Sequence, residues 1–487
     1  MNEKLPSLPP PARRIHCNRT LNLRSIGAIG YDMDYTLVHY RVEEWEGHAY
    51  EFIRASLAED GWPVDGLSFE PDLIIRGLVL DLELGNILKA NRFGYVIRAT
   101  HGTRDMAFEE VRDAYRQTQV DLAEPRFVFL NTLFSLSEGC LFAQLVDRFD
   151  ETWERFEGVA SYAGLYRSLS RAVDRAHVEG ALKADILRNP AQFIATDPDT
   201  AATLLDQKRA GKRLMLISNA EWPYAREVMR FAFDPYLPDG MSWRDLFELV
   251  ILQARKPGFF SQSLPLFTVE DEDEGLLKPC PGAIPGPGVY VGGDAFRVEE
   301  YLGLSGSRIL YVGDHVFADV RVSKAELRWR TALILRELED DLREIVGFAD
   351  TEGRLKAMME EKIRFEHALS TARLDLLRSH HGESSAAGRR ELEQRITSLR
   401  DHLVALDETI APLARQASTL VNRRWGPLLR AGNATTHLAQ QLEKSADVYT
   451  SRVSNFLDAT PFAYLRSQRS SMPHDPATET TPGAPEQ

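Results

Sequence analysis

The sequence predicts an α/β fold: a Rossmann-like parallel-sheet core with a large inserted cap domain and a C-terminal helical hairpin. Three observations predict it. Apolar runs at Ile26–Tyr31, Arg213–Ile217, Leu249–Leu252, Arg308–Val312 and Thr331–Leu335 have the uninterrupted character of strands buried on both faces, with helix-like segments between them. The first run is parted from the second by a long excursion, from about Val38 to Asp206, that breaks the strand–helix alternation. From about Gly353 apolar residues recur in steps of four and three, the spacing of a helical seam.

Taken in order, residues 1–15 read as a flexible arm, because Pro6, Pro9, Pro10 and Pro11 oppose regular structure. Residues 16–37 hold the first core strand. Residues 38–205 form the cap, with helices expected at Tyr50–Asp60 and Arg104–Tyr115. A hairpin is expected at Gly85–Ile97, turning at Asn91-Arg92-Phe93-Gly94. The core resumes over 206–352. The acidic run Glu270–Glu274, with Pro279, Pro281, Pro285 and Pro287 after it, reads as a solvated loop. Residues 353–466 form a C-terminal helical region. There Phe365, Leu369, Ala372 and Leu376 face Leu392, Ile396, Leu399, Leu403 and Leu406 across a Gly- and Ser-rich turn at His380–Gly388. Residues 467–487, rich in Ser, Pro and Thr, are expected to be disordered.

With 487 residues, 44% hydrophobic and 27% charged, the chain can bury a large core. A formal net charge of −14 argues against a general nucleic-acid binder, which carries a basic balance. Cysteine occurs only at positions 17, 140 and 280, which suggests neither a disulfide framework nor a paired-cysteine zinc site and fits a reducing, cytoplasmic setting. Met1–Arg14 lacks the apolar segment of a secretory signal, and no 18-residue apolar run predicts a membrane span.

The chemistry gathers where the strands end, since ligands of open α/β sheets collect beyond their carboxyl ends. Asp32 follows the first apolar run and Asp34 stands two residues on. A carboxylate at the first position can act as a nucleophile toward phosphorus, and one at the second can protonate the leaving oxygen and then activate water. Two anions facing a phosphate imply a hard divalent cation, Mg2+. Ser218-Asn219, Lys256-Pro257 and Gly313-Asp314, with Asp319 beyond, follow at or near the ends of later strands. The Ser218 hydroxyl and the backbone donors of 218–220, Asn219 and Ala220 included, can hold a phosphoryl oxygen. Lys256 can neutralise charge spreading over the other oxygens. Singly, each residue also suits a turn or a helix cap.

In this order the four stretches resemble the haloacid dehalogenase-like phosphohydrolases. The resemblance implies an aspartyl phosphate on Asp32, with Mg2+ held by Asp32, the main-chain carbonyl of Asp34 and Asp314. Asp319 then orients a bound water or Lys256. Longer stretches narrow the likeness: Gly30–Leu37, Arg76–Asp81, Gly85–Lys89, Leu130–Phe134, Ala254–Pro257 and Tyr311–Phe317 are similar to those of the cytosolic purine 5′-nucleotidases specific for IMP and GMP. The likeness runs from about His16 to Tyr464. It implies hydrolysis of purine nucleoside 5′-monophosphates to nucleoside and phosphate, with phosphoryl transfer to another nucleoside as a further outcome. It also implies a homo-oligomer, dimer or tetramer, with no nucleic-acid or membrane partner.

Asp174 and Lys183 match the family's cap positions facing the nucleotide, and Phe134 matches an aromatic that stacks on the base. The family's cap arginine has no aligned counterpart here, leaving Arg167 or Arg171 as substitutes. Asn131 and Gln441 match positions for activating nucleotides, whereas Lys444 and Ser445 replace an arginine and an aromatic, a loss of bidentate and stacking capacity. Two alternatives stay open. One is a phosphatase of the same superfamily acting on another phosphometabolite; the other is an inactive helical interaction protein on the same fold.

Overall fold

The computed structural model describes residues 9–178, 181–272, 274–383 and 386–468. Most of the expected C-terminal tail and the first half of the N-terminal arm therefore lie outside the described residues. The core is a ten-stranded sheet in the order His16–Cys17, Val448–Thr450, Arg330–Ile334, Ile309–Gly313, Ala28–Tyr31, Arg213–Ile217, Leu249–Leu252, Gly288–Gly292, Leu266–Asp271, Leu276–Pro279. From Val448–Thr450 to Gly288–Gly292 all neighbours pair in parallel. These strands read as unbroken apolar runs because helices cover both faces. Ala28–Tyr31 and Ile309–Gly313 are adjacent, and chain order runs away from that pair in both directions. Their junction is the topological switch point, where such sheets open a crevice.

The sequence reading missed two parallel core strands, one of them Gly288–Gly292 beside Leu249–Leu252. The other, Val448–Thr450, extends the sheet beside Arg330–Ile334, so the C-terminal segment supplies more than helices. His16–Cys17 pairs antiparallel with it. The expected arm is also tied down in part: Pro11–Arg13 forms a 3-10 turn, Ser451 Oγ donates to the Ala12 carbonyl at 2.9 Å, and Thr450 Oγ1 donates to that of Arg14 at 2.9 Å. The acidic stretch is not a loop throughout. Leu266–Asp271 and Leu276–Pro279 pair antiparallel and extend the sheet's far edge.

The excursion builds a layer of its own. Its ends, His39–Tyr40 and Ile194–Ala195, pair antiparallel. Helix Pro198–Arg209 follows, so the boundary read at 205/206 falls inside a helix. A five-stranded antiparallel sheet runs Arg104–Asp105, Val96–His101, Asn86–Ala90, Val79–Asp81, Phe127–Phe129. The hairpin turn at Asn91–Gly94 closes with Asn91 N–H donating to Tyr95 O at 2.9 Å. Two helix starts differ from the sequence expectation. The first helix spans Val42–Glu59, not Tyr50–Asp60: Trp45, Ala49, Ile53 and Leu57 keep one buried face, a periodicity that Glu43, Glu44 and Glu46 disguise. The second spans only Phe108–Tyr115, because Arg104–Asp105 is held as a strand and the Glu110 carboxylate accepts the Ala107 N–H at 2.6 Å. Helices Val42–Glu59, Leu136–Thr152 and Tyr162–Val178 pack together. Their apolar faces join the sheet's in one cluster.

Beyond the core, Ala349–Arg378 packs along Ala386–Ser418. Leu369, Ala372 and Ile396 form the buried centre of that contact, and Phe365 stacks on His402 with ring centroids 3.8 Å apart. No described helix is long and apolar enough to cross a membrane.

Candidate active site

Asp32 leaves the central strand at the switch point, its N–H donating to Val312 O at 2.9 Å. One strand over, Asp314 follows Gly313. The chain then makes a wide helical turn over Val316–Arg321 that swings Asp319 back. His315 N–H donates to Asp319 Oδ2 at 3.2 Å. Gly313 makes room for this: a Cβ there would lie 2.6 Å from the Asp319 side chain. On the other side, Leu249–Leu252 ends in two residues of positive φ, Gln253 at 46° and Arg255 at 57°. The turn they make brings the Lys256 side chain into the crevice, where only 4% of it is exposed.

The Lys256 ammonium stands 2.7 Å from Asp32 Oδ1 and 2.8 Å from Asp319 Oδ1, and donates to the Tyr311 hydroxyl at 3.2 Å. Tyr311 in turn donates to Ile217 O at 3.1 Å, bridging to the strand that ends at Ser218. Asn219 clamps the lysine's backbone, accepting the Lys256 N–H on Oδ1 at 2.7 Å. Its carboxamide thus holds Lys256 in place and is not free for a phosphoryl oxygen. Ser218 is buried, its Oγ accepting the Ala220 N–H at 3.1 Å.

The electrostatics follow from burying three carboxylates around one ammonium. Burial raises the Asp32 pKa well above the ordinary range although the Lys256 charge pulls it down. Burial likewise lifts Asp314 to about 7, against the pull of Arg76. Burial also opposes the charge on Lys256, but Asp319 and Asp32 outweigh it and hold its pKa well above the usual lysine value. Asp34 is raised by burial while Tyr40 donates to its Oδ1 at 2.5 Å. Oxygens of Asp32, Asp314 and Asp319 lie within 4.8 Å of one another. That all-oxygen set fits a hard divalent cation. Lys256 engages one oxygen of Asp32 and one of Asp319, and the His315 N–H takes the other oxygen of Asp319.

The remaining expected residues separate into two places. Phe134, half-buried, has its ring 4.6 Å from Tyr35 and 5.7 Å from Trp45, in a cluster packed on the core. Lys183 lies over the Tyr224 ring at 5.7 Å, and its charge lowers the pKa of Asp34. Asp174 is exposed on helix Tyr162–Val178, where its charge acts on Glu138 and Tyr166. Arg171 bonds along its own helix to Ser168 and the Arg167 carbonyl, and both arginines line a cleft with Leu82, Pro125 and Arg126. Asn131 and Gln441 each have a buried side-chain oxygen with no hydrogen-bond partner. They flank Phe129, which accepts from Asn131 Nδ2 at 3.3 Å and has its ring 6.1 Å from His437, a neighbour of Gln441.

Sequence reasoning did not single out Tyr40, Tyr311, Thr132 or Arg76. Tyr311 belongs to an apolar strand run, and Tyr40 lies at the start of the excursion with no motif of its own. Thr132 donates to Asp314 Oδ2 at 3.3 Å, and the sequence shows it only as an interior residue of the stretch Leu130–Phe134.

The model of the 5′ nucleotidase family matches residues 15–477. The chain is 27% identical over 478 residues to 5′-nucleotidase domain-containing protein 2 of Homo sapiens, covering 94% of this chain and 85% of that protein. It is 25% identical over 479 residues to a 5′-nucleotidase domain-containing protein of Dictyostelium discoideum, covering 97% and 76%. Among solved structures, the archaeal β-phosphoglucomutase from Pyrococcus sp. strain ST 04 aligns with 64% of this chain and 87% of its own at 12% identity and a TM-score of 0.29.

Proposed function

The chain belongs to the 5′ nucleotidase family, and from that premise we propose that it hydrolyses purine nucleoside 5′-monophosphates, IMP and GMP, in a Mg2+-dependent reaction through an aspartyl phosphate on Asp32. The observation that carries this reading is the meeting of Lys256 with Asp32 and Asp319, beside Asp314, from three stretches far apart in sequence. A buried cation among buried carboxylates at a sheet switch point is a costly arrangement to maintain for stability alone. It suits a dianionic phosphoryl group.

The cation would be held by Asp32, Asp314 and the main-chain carbonyl of Asp34, and when bound it supplies the positive charge that lets a phosphate approach these acids. Lys256 and the donors at Ser218–Ala220 orient the phosphoryl oxygens and receive the charge that grows on them. Asp32 attacks phosphorus as the bond to the nucleoside O5′ breaks, and Asp34 gives that oxygen its proton. Asp34 then takes a proton from water, which attacks the same phosphorus and returns Asp32 as a carboxylate with phosphate released. A nucleoside hydroxyl in place of that water gives phosphoryl transfer. Lys183, Phe134 and Asp174 select the base from the cap side, and Asn131 with Gln441 forms an effector site. The protein acts as a cytoplasmic homo-oligomer.

The test is a panel of purine and pyrimidine nucleoside monophosphates and sugar phosphates, with and without Mg2+, for the parent and Asp32→Asn. Inosine and phosphate from IMP, only with the cation and only from the parent, is the expected result. Turnover by Asp32→Asn at the parent rate would sink the covalent mechanism; a sugar phosphate outpacing every nucleotide would sink the substrate.

A further inference from the structure

Arg76 lies in the inserted layer, in the turn before strand Val79–Asp81, and its side chain is only 1% exposed. Its guanidinium reaches out of that layer. Nη2 donates to the main-chain carbonyl of Asp314 at 2.7 Å and, more weakly, to that of Ile334 at 3.4 Å. Nε donates to the Asn131 carbonyl at 3.1 Å. Nη1 stands 3.6 Å from Glu337, whose carboxylate oxygens are buried without a hydrogen bond. One rigid planar fork therefore ties the carbonyl of Asp314, the end of the next strand and the segment at Asn131.

The residue after Asn131 makes this tie matter at the site. Thr132 Oγ1 donates to Asp314 Oδ2 at 3.3 Å, so the inserted layer grips Asp314 twice. Arg76 holds its backbone, and Thr132, on the segment that Arg76 also holds, touches its carboxylate. A metal ligand's aim is set by such supporting bonds. An arginine buried for packing alone would not need a carbonyl beside a cation site as its shortest partner.

We propose that Arg76 is a positioning residue for the divalent cation, aiming the Asp314 carboxylate at Asp32 through its bond to the Asp314 carbonyl and through Thr132. On this view the inserted layer completes the cation site as well as covering it. The inference rests on the reading of Asp314 as a cation ligand, and the experiment separates the two.

Mn2+ binding to the full chain, measured by electron paramagnetic resonance of the free ion, is compared for the parent, Arg76→Lys, Arg76→Gln/Glu337→Gln, Thr132→Val and Asp314→Asn. The double variant removes the buried carboxylate together with the guanidinium, so no unpaired charge is left behind. Expected is a roughly 10–100-fold weaker Kd for both Arg76 variants and a smaller loss for Thr132→Val. Raising the cation concentration should restore kcat, with KM for the monophosphate near the parent's. A packing role alone would lower Tm and the active fraction without moving the Mn2+ Kd. Parent-like Mn2+ affinity in any folded Arg76 variant overturns the proposal. If neither Arg76 variant folds, parent-like affinity in Thr132→Val overturns it instead. Parent-like affinity in Asp314→Asn overturns the underlying cation-site reading, whatever Arg76 does.

Discussion

Tyr40 donates its hydroxyl to Asp34 Oδ1 at 2.5 Å, with the Tyr224 hydroxyl 3.0 Å from that of Tyr40. Asp34 is thereby held by a donor from strand His39–Tyr40, where the inserted layer begins. Lys183, above the Tyr224 ring, adds a positive charge on the same side. A group meant to give and take one proton needs a fixed direction and a fixed partner. These tyrosines supply both.

Substitution here should separate the two half-reactions. Asp34→Asn should slow turnover roughly 10²–10⁴-fold, the usual worth of a general acid–base group, and should let phosphoenzyme accumulate when a substrate with a good leaving group is used. Tyr40→Phe should cost about tenfold, in keeping with one hydrogen bond to a charged acceptor. Acid-quenched phosphoprotein after rapid mixing reads both. Equal loss in phosphorylation and dephosphorylation for Tyr40→Phe, with no change in the pH profile, would count against an orienting role.

Lys256 is shared between Asp32 and Asp319, so its removal acts on both. Lys256→Met keeps the bulk of the stem but leaves the two acids facing each other without their ammonium. One must take up a proton, and a protonated Asp32 is no nucleophile. A loss of roughly 10²–10³-fold in kcat is expected. Lys256→Arg should not rescue it, because a planar guanidinium cannot take the place of a compact ammonium between two oxygens. Steady-state rates of the two variants against the parent decide this.

How much of this was legible follows from the strands. Asp32, Ser218 and Asp314 stand where unbroken apolar runs stop, and Lys256 close behind such a run, because parallel strands buried on both faces carry no polar residue until they leave the sheet. Arg76 gave no such signal: its partners are carbonyls of Asp314, Ile334 and Asn131, and carbonyls are the same in every residue. Tyr40 and Tyr311 were hidden by their rings, which serve the core while their hydroxyls serve the site. The strand Val448–Thr450 is three residues long, too short for periodicity to show. What places it is Asp447, whose ion pairs join distant stretches.

Glu46 gives a pH-dependent stability that can be isolated. It is fully buried, with Oε2 accepting the Ser137 N–H at 3.0 Å and Oε1 without a partner. Burial raises its pKa to about 8, the bond from Ser137 opposing. Because the folded value lies above the unfolded one, the folded protein keeps a proton that the unfolded chain releases. The stabilisation is therefore complete below about pH 4.5 and is lost as pH rises through about 8. The parent Tm should fall across that window by a few degrees more than that of Glu46→Gln, whose amide carries the neutral form's shape at every pH. Differential scanning calorimetry of both proteins in steps from acid to alkaline pH gives the comparison. Parallel curves would mean that Glu46 stays charged in the fold.

Asp447 should prove the most sensitive site of the sheet's C-terminal edge. Its carboxylate is 1% exposed and meets Lys324 at 2.5 Å and Arg330 at 2.8 Å. It also accepts the Thr331 N–H at 3.0 Å, while its own carbonyl accepts the N–H groups of Asn18 and Arg19 at 2.9 Å. Burial alone would raise its pKa, but the bonds from Lys324 and Arg330 hold it below the usual range. That stabilisation is present above about pH 4 and lost only as the medium turns more acidic. Asp447→Ala leaves the two cations beside a buried, unfilled space. Because those cations are 22–24% exposed, water relieves part of the cost, and a loss of about 3 kcal/mol is expected rather than the upper end for a buried pair. Asp447→Asn keeps the shape and should recover only the bond to Thr331. Urea unfolding at neutral pH measures both, and kcat below the transition should match the parent because Asp447 touches none of the site residues. If Asp447→Ala unfolded at the parent's urea midpoint, the strand Val448–Thr450 would have to be held by packing of Val448 and its neighbours, and not by this ion cluster.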